Sequence, residues 1–327
     1  MEQILEMITT YGLETVVIAL SINMLTGLVK MPIKYLAHKL NDYTKVTRFI
    51  VFLPIGFGFL VSFLYARFIS TNGLVTKEYK VVNSKITESY HGLKIVHITD
   101  IHYATTVFEK ELENLVDEIN NIKPDIVVLT GDLFDSEESY NKDVLVNYLS
   151  KIEAKFGKYA VSGNHDKPIE EYYDVIINSG FINLDNSYEL IYNDSREPII
   201  ISGISTSYED SSNLEIKTEK FDAYMSELTE DDIKPIYSIL LMHEPDFVDN
   251  INLNNYDLVL SGHSHLGQVR LPIIGKLHTP YGSLKYYDEY YKINNTDLYI
   301  SGGIGTSWLK IRFFNKPSIN FYRITNK

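Results

Sequence analysis

The chain has 327 residues, a formal net charge of −13 and no cysteine. That length allows one large domain or two smaller ones with an ample core, and the absence of thiols excludes disulfides, thiolate metal ligands and a cysteine nucleophile. Residues 1–70 carry six Lys/Arg against four acids, so the rest of the chain is at −15, which argues against sequence-independent binding to nucleic acid because phosphate contacts need a basic face.

Two apolar segments come first. Thr15 to Val29 is uncharged but short and contains Ser21, Asn23 and Thr26; it reads as a transmembrane helix, with a re-entrant or interfacial segment as the alternative. Phe49 to Ala66 is uncharged over 18 positions, long enough to span a bilayer, with Arg67 placed to snorkel to the interface. Pro54, Gly56 and Gly58 weaken a soluble helix but are tolerated in lipid. The connector Lys30 to Arg48 holds five Lys/Arg and one acid, and no Lys/Arg precedes it. Basic connectors stay on the cytoplasmic side, so the expectation is a membrane region over residues 1–70 and, over 71–327, a domain at the cell membrane on its extracytoplasmic face.

Beyond the membrane region, strands and helices alternate. Val75–Val82, Leu93–Thr99, Asp125–Thr130, Lys158–Ser162, Pro198–Ile204, Ile236–Met242 and Tyr256–Leu260 read as strands. Leu298–Ser301 and Ser318–Ile324 read as closing strands. Phe108, Leu112, Leu115, Val116, Ile119 and Ile122 follow helical spacing up to Pro124, and Val144 to Ile152 repeats that pattern. A third helix over Glu170–Ser179 ends at Gly180. The alternation predicts an α/β layered domain.

Five short strings follow apolar runs: Asp100-Ile101-His102, Gly131-Asp132-Leu133-Phe134-Asp135, Gly163-Asn164-His165-Asp166, the isolated His243, and Gly262-His263-Ser264-His265. Open α/β sheets place their sites just past strand C-termini, and glycines 131, 163 and 262 permit the sharp turns that return side chains toward one point. Carboxylates, an amide and imidazoles together suit a pair of divalent transition metals. Taken singly, each has a plainer reading: Asp132 as a turn aspartate, Asn164 as a left-handed turn residue, His243 as a hydrogen-bonded strand end. His97, inside a strand, reads as core. His278 lies in a loop of the site half and is open to contact with substrate. Asp166 reads as a cap for the segment that follows.

In this order the strings resemble the calcineurin-like metallophosphoesterases (D-x-H, G-D-x-x-D, G-N-H-[DE], H, G-H-x-H), over roughly Leu93 to Thr325. The resemblance implies a layered β-sandwich metallophosphoesterase fold flanked by helices, two divalent metal ions (Mn, Fe or Zn) and hydrolysis of a phosphoric ester by a metal-activated water. It implies Asp100, His102 and His265 on one ion, Asn164, His243 and His263 on the other, and Asp132 bridging them. His165 is implied as the leaving-group acid, with Asp135 orienting it. Gly267 to Pro272, Leu298 to Ser307 and Ile311 to Phe314 resemble the bacterial membrane-associated branch, which includes UDP-2,3-diacylglucosamine pyrophosphatase-like enzymes. Leu266 replaces a common glycine and is expected to reshape the pocket rim; Gly302 replaces a common arginine and is expected to remove a phosphate-facing cation. The implied substrate is a phosphodiester or pyrophosphate, lipid- or envelope-linked, with the membrane as partner and no nucleic acid. A phosphomonoesterase or phosphoprotein phosphatase is the alternative enzyme, and a non-catalytic membrane scaffold the alternative outside enzymes.

Overall fold

The strand runs close into two six-stranded sheets in the computed structural model, which describes residues 43–135, 140–193, 197–208, 214–230 and 236–327. The first sheet takes β1 (Val75–Val82), β2 (Leu93–Ile98), β3 (Ile126–Thr130), β4 (Gly157–Val161), β5 (Phe181–Asn183) and β14 (Ser318–Thr325), in the order β1-β14-β2-β3-β4-β5. The second takes β6 (Ser187–Ile191), β7 (Ile199–Gly203), β8 (Ser238–Leu241), β9 (Leu258–Ser261), β12 (Tyr290–Ile293) and β13 (Thr296–Ile300), in the order β12-β13-β9-β8-β7-β6. β2, β3 and β4 are parallel, as are β7, β8 and β9. β10 (Arg270–Leu271) and β11 (Gly275–Lys276) form a separate small hairpin.

The central strands are buried on both faces, which is why they read as unbroken apolar runs. Between the sheets, Ile95, Ile126 and Val128 meet Ile201, Ile239, Leu241, Leu258 and Leu260. Outside the first sheet lie α2 (Glu109–Ile122), α3 (Lys142–Leu149) and α4 (Tyr172–Asn178). In α2, Leu112, Leu115, Val116 and Ile119 fall on one face and all are buried; each such side chain contributes about 1.5–3 kcal/mol relative to exposure. Glu111 returns its carboxylate to the Phe108 amide at the start of α2, and Lys123, at φ 53°, ends it. The Asn141 side chain caps α3. Outside the second sheet lies α5 (Leu214–Glu230), whose Leu214 and Phe221 pack on Ile200, Leu240 and Val259.

A 26-residue helix, α1 (Tyr43–Phe68), precedes β1 and contains the whole of the expected second apolar segment, Phe49–Ala66. Its side chains are described from Leu53 onward, and Phe59, Phe63, Leu64 and Phe68 are exposed. Among the described residues no helix is long and apolar enough to cross a membrane. The first apolar segment, Thr15–Val29, lies outside the described residues.

Candidate metal centre

The five strings converge at one end of the sandwich. Asp100 and His102 follow β2, Asp132 follows β3, Asn164 and His165 follow β4, His243 follows β8, and His263 and His265 follow β9. Both sheets therefore present strand C-termini to the same place. Asp100, His102, Asp132, His263 and His265 all take left-handed backbone (φ 50°, 43°, 53°, 64° and 45°). Such conformations are costly for residues bearing Cβ and persist where the surroundings over-determine them. Asn164 is not among them. The glycine of each motif is required by space: a Cβ on Gly163 would overlap Asp132 Oδ1, and one on Gly262 would lie 2.5 Å from Asp100 Oδ2.

Two three-residue groups have ligand atoms all within 4.8 Å of one another: Asp100, His102 and His265, and Asp132, His243 and His263. In the first, His265 Nε2 is 3.3 Å from Asp100 Oδ1 and 3.2 Å from His102 Nε2. In the second, His243 Nε2 is 3.1 Å from Asp132 Oδ2 and 3.2 Å from His263 Nδ1. Asp132 Oδ2 is also 3.6 Å from His102 Nε2, so this carboxylate lies between the groups. A third group, His102, Asp135 and His165, adjoins them; Asp135 Oδ1 is 3.7 Å from His165 Nδ1, and Asp135 Oδ2 accepts from Thr105 Oγ1 at 3.0 Å.

The donor set fits divalent cations on three further observations. His243 Nδ1 donates to Thr130 O and His263 Nε2 donates to Tyr281 O, each at 2.7 Å. These bonds fix the tautomers and leave the opposite nitrogens for a metal, as carbonyl partners do behind ligating histidines. Asn164 Oδ1 is buried and has no hydrogen-bond partner among the described residues; a buried amide oxygen left in this way is expensive unless something coordinates it. Charges oppose one another as a cation would find them. Burial pushes Asp100 up, while for Asp132 the burial effect is outweighed by His243, which holds its carboxyl well below the usual range. Burial lowers His263 to about 3, helped by His243, and burial, His102 and Arg312 together lower His265, so both rings are neutral donors.

The remaining sequence expectations resolve case by case. His97 is fully buried in β2, bonded to Thr130 Oγ1 at 2.7 Å. Asp166 braces the motif turns rather than capping a helix: its carboxylate accepts from Gly163 N and Phe134 N. Leu266 does not form the pocket rim; its side chain is buried in the core outside the second sheet with Leu298 and Ile300, because its left-handed backbone turns it inward. Beside Gly302, the Arg312 guanidinium is fully buried, donating to Gly302 O, Gly303 O and Gly305 O and lying 3.4 Å from His265 Nδ1. Its signal in sequence is a lone cation within the apolar run Ile311 to Phe314. Thr130 and Tyr281 act through backbone carbonyls, which any residue supplies and no motif marks.

A cleft of about 580 Å³ leads from these groups to the surface. Asp132, Asn164, His165 and His263 stand at its floor, and Val269, Leu277, His278, Pro280, Trp308 and Ile311 form an extended wall. Tyr208 closes one side, its ring 5.6 Å from that of His263.

The sequence profile of the calcineurin-like phosphoesterases matches residues 93–267, which hold all five strings. The chain belongs to this family. It is similar to the uncharacterized metallophosphoesterase YkuE of Bacillus subtilis, 30% identical over 80% of this chain and 88% of the relative. It is also similar to a transmembrane protein with metallophosphoesterase domain of Danio rerio, 28% identical over 72% of this chain and 54% of the relative. The UDP-2,3-diacylglucosamine pyrophosphatase LpxG of Chlamydia muridarum is 24% identical over 71% of this chain and 84% of that enzyme. The chain is therefore a phosphoesterase-family hydrolase whose family uses divalent metals.

Proposed function

We propose that the protein is a membrane-anchored phosphohydrolase with a dinuclear metal site, acting on a phosphodiester or pyrophosphate whose leaving or retained group is lipid- or envelope-linked. The observation that carries this reading is the pair of adjoining Asp/His groups with Asp132 Oδ2 between them. Asp100, His102 and His265 would hold one ion, Asn164, His243 and His263 the other, and Asp132 both, since its Oδ2 stands between the two groups. Two divalent ions supply Lewis acidity and lower the pKa of water; Mn, Fe or Zn suit these mixed N/O donors. His165, on the cleft floor beside Asn164, gives its proton to the oxygen that leaves phosphorus as water adds. Asp135 behind the ring, with Oδ1 3.7 Å from His165 Nδ1, fixes its orientation.

Residues 1–70 serve as the membrane region and 71–327 as the catalytic domain. The exposed apolar side chains of α1 and the name of the Danio rerio relative support the anchor. The extended wall of the cleft and the name of the Chlamydia relative support a substrate with an apolar group. The full chain in detergent with added Mn²⁺ should hydrolyse nucleotide-linked lipids and phosphodiesters faster than phosphomonoesters. Preference for phosphomonoesters or phosphopeptides would replace this reading with the phosphatase alternative, and no turnover with both metals bound would leave the scaffold.

A further inference from the structure

The mouth of the cleft is apolar where a soluble enzyme's is normally wet. The turn between β10 and β11 projects Ile273 and Ile274, 107% and 71% exposed, and the facing segment presents Trp308 at 81% and Leu309 at 45%. Ile273 is also left-handed, at φ 73°, a genuine outlier for a β-branched residue. Nothing packs on it within the described residues to justify that strain.

These two segments are fixed to one another and to α1. Gln268 donates to Ser307 O and Leu309 O and accepts from Ser307 N, tying both sides of the mouth. Arg270 N bonds Phe313 O. Phe313 and Phe314 then pack on Tyr65 and Ala66 of α1, and Arg312 N bonds Ala66 O at 3.0 Å. The C-terminal end of α1 is thus joined to the base of the mouth. Cations stand in the same place. Lys276, Lys310 and Lys316 are partly exposed there, while Arg270 and Lys285 pair with Asp288 and Asp249.

We propose that this mouth docks on a lipid bilayer bearing anionic headgroups. Ile273, Ile274, Trp308 and Leu309 enter the boundary between headgroups and acyl chains, where tryptophan is favoured. Lys276, Lys310 and Lys316 around them meet the anionic headgroups, which attract cations held at the bilayer surface. Seated in this way, the cleft opens onto the headgroup layer, and a lipid phosphate reaches the Asp132 region without leaving the bilayer. The docking deepens the membrane-anchored reading above and rests on it.

Trp308 is the only tryptophan, so its fluorescence reports the mouth alone. The full chain would be reconstituted into phosphatidylcholine vesicles with and without phosphatidylglycerol, using lipids brominated on their acyl chains. The expected result is a blue-shifted emission and quenching several-fold stronger with phosphatidylglycerol present. A paired I273D/I274D variant should lose most of that quenching while hydrolysing a soluble chromogenic diester at the wild-type rate, since neither residue lines the cleft. Emission typical of water with no quenching would overturn the proposal, as would undiminished quenching in the paired variant; equal quenching without phosphatidylglycerol would overturn its electrostatic half. Metal content and diester hydrolysis are read on the same samples. Active but undocked protein defeats only the docking, and docked but inactive protein defeats only the enzymatic reading.

Discussion

The carbonyl oxygen of Thr130 stands 2.7 Å from Nδ1 of His243. The bond joins the end of β3 in one sheet to the end of β8 in the other, and it leaves His243 Nε2 facing Asp132 Oδ2 at 3.1 Å. One contact therefore ties the two sheets together where the motifs meet and fixes the tautomer of a proposed ligand. Asp132 then has its other oxygen, Oδ1, on the His165 amide at 2.9 Å, so it is held from both sides.

Asp132→Asn should consequently reduce metal content at both positions. The substitution keeps the shape but removes the charge shared by the two groups and puts a donor where a ligand oxygen stood. Elemental analysis of the purified variant should find well under the wild-type amount, taken as about two ions per chain on the usual pattern of paired-metal hydrolases. Full occupancy with unaltered turnover would remove Asp132 from the bridging role.

His165→Ala should behave differently. Its ring faces Asp135 and lies 4.9 Å from that of His102, and its side chain is the most exposed of the cluster's histidines. Loss of a general acid costs about 10²–10⁴ in rate, while the two Asp/His groups remain intact. Turnover should fall by that scale with metal content retained, and a substrate with a very good leaving group should be much less affected. Loss of one ion in this variant would make His165 a ligand instead.

The parts of the fold that were legible are those where one physical requirement acts on consecutive residues. Ile126 to Thr130 is buried on both faces and reads as a strand; Leu112, Leu115 and Ile119 share a helical face and read as a helix. The motif residues were legible because turns crowded against carboxylates admit only glycine, as at Gly163 and Gly262. What escaped had no such run. β5 has three residues, β12 alternates between exposed and partly buried positions at a sheet edge, and α5 carries many charges with few apolar anchors. The bracing of His243 and His263 uses main-chain oxygens, and the place of Arg312 depends on the segment 302–305 folding around it.

The proposed orientation in the membrane rests on the basic connector at Lys30 to Arg48 and the absence of Lys/Arg before it. Protease added to intact cells, after removal of any outer layer, should cleave the segment after Phe68 and release fragments of the catalytic domain. Complete protection until the membrane is ruptured would place that domain on the cytoplasmic side and reverse the proposed topology.

His97 should make the protein acid-sensitive through a single proton. Burial lowers its pKa from the model-compound value of 6.5 to about 3, and it sits between Thr130 Oγ1 and the Tyr322 ring, with no carboxylate partner among the described residues. In the unfolded chain the imidazole takes up a proton as pH falls through 6.5; in the folded chain it stays neutral until about 3. Between those values the unfolded state binds more protons, so stability rises with pH there and falls on acidification, with a slope approaching about 1.4 kcal/mol per pH unit from this residue. His97→Gln keeps a polar group toward Thr130 and has no proton to gain. Denaturant midpoints of the two proteins, measured without added metal in the same detergent, should differ by a constant above pH 7 and then shift progressively in favour of the variant toward pH 4. Carboxylates common to both cancel in that difference. Parallel curves across the whole range would mean that His97 is charged in the fold or already shielded in the unfolded chain.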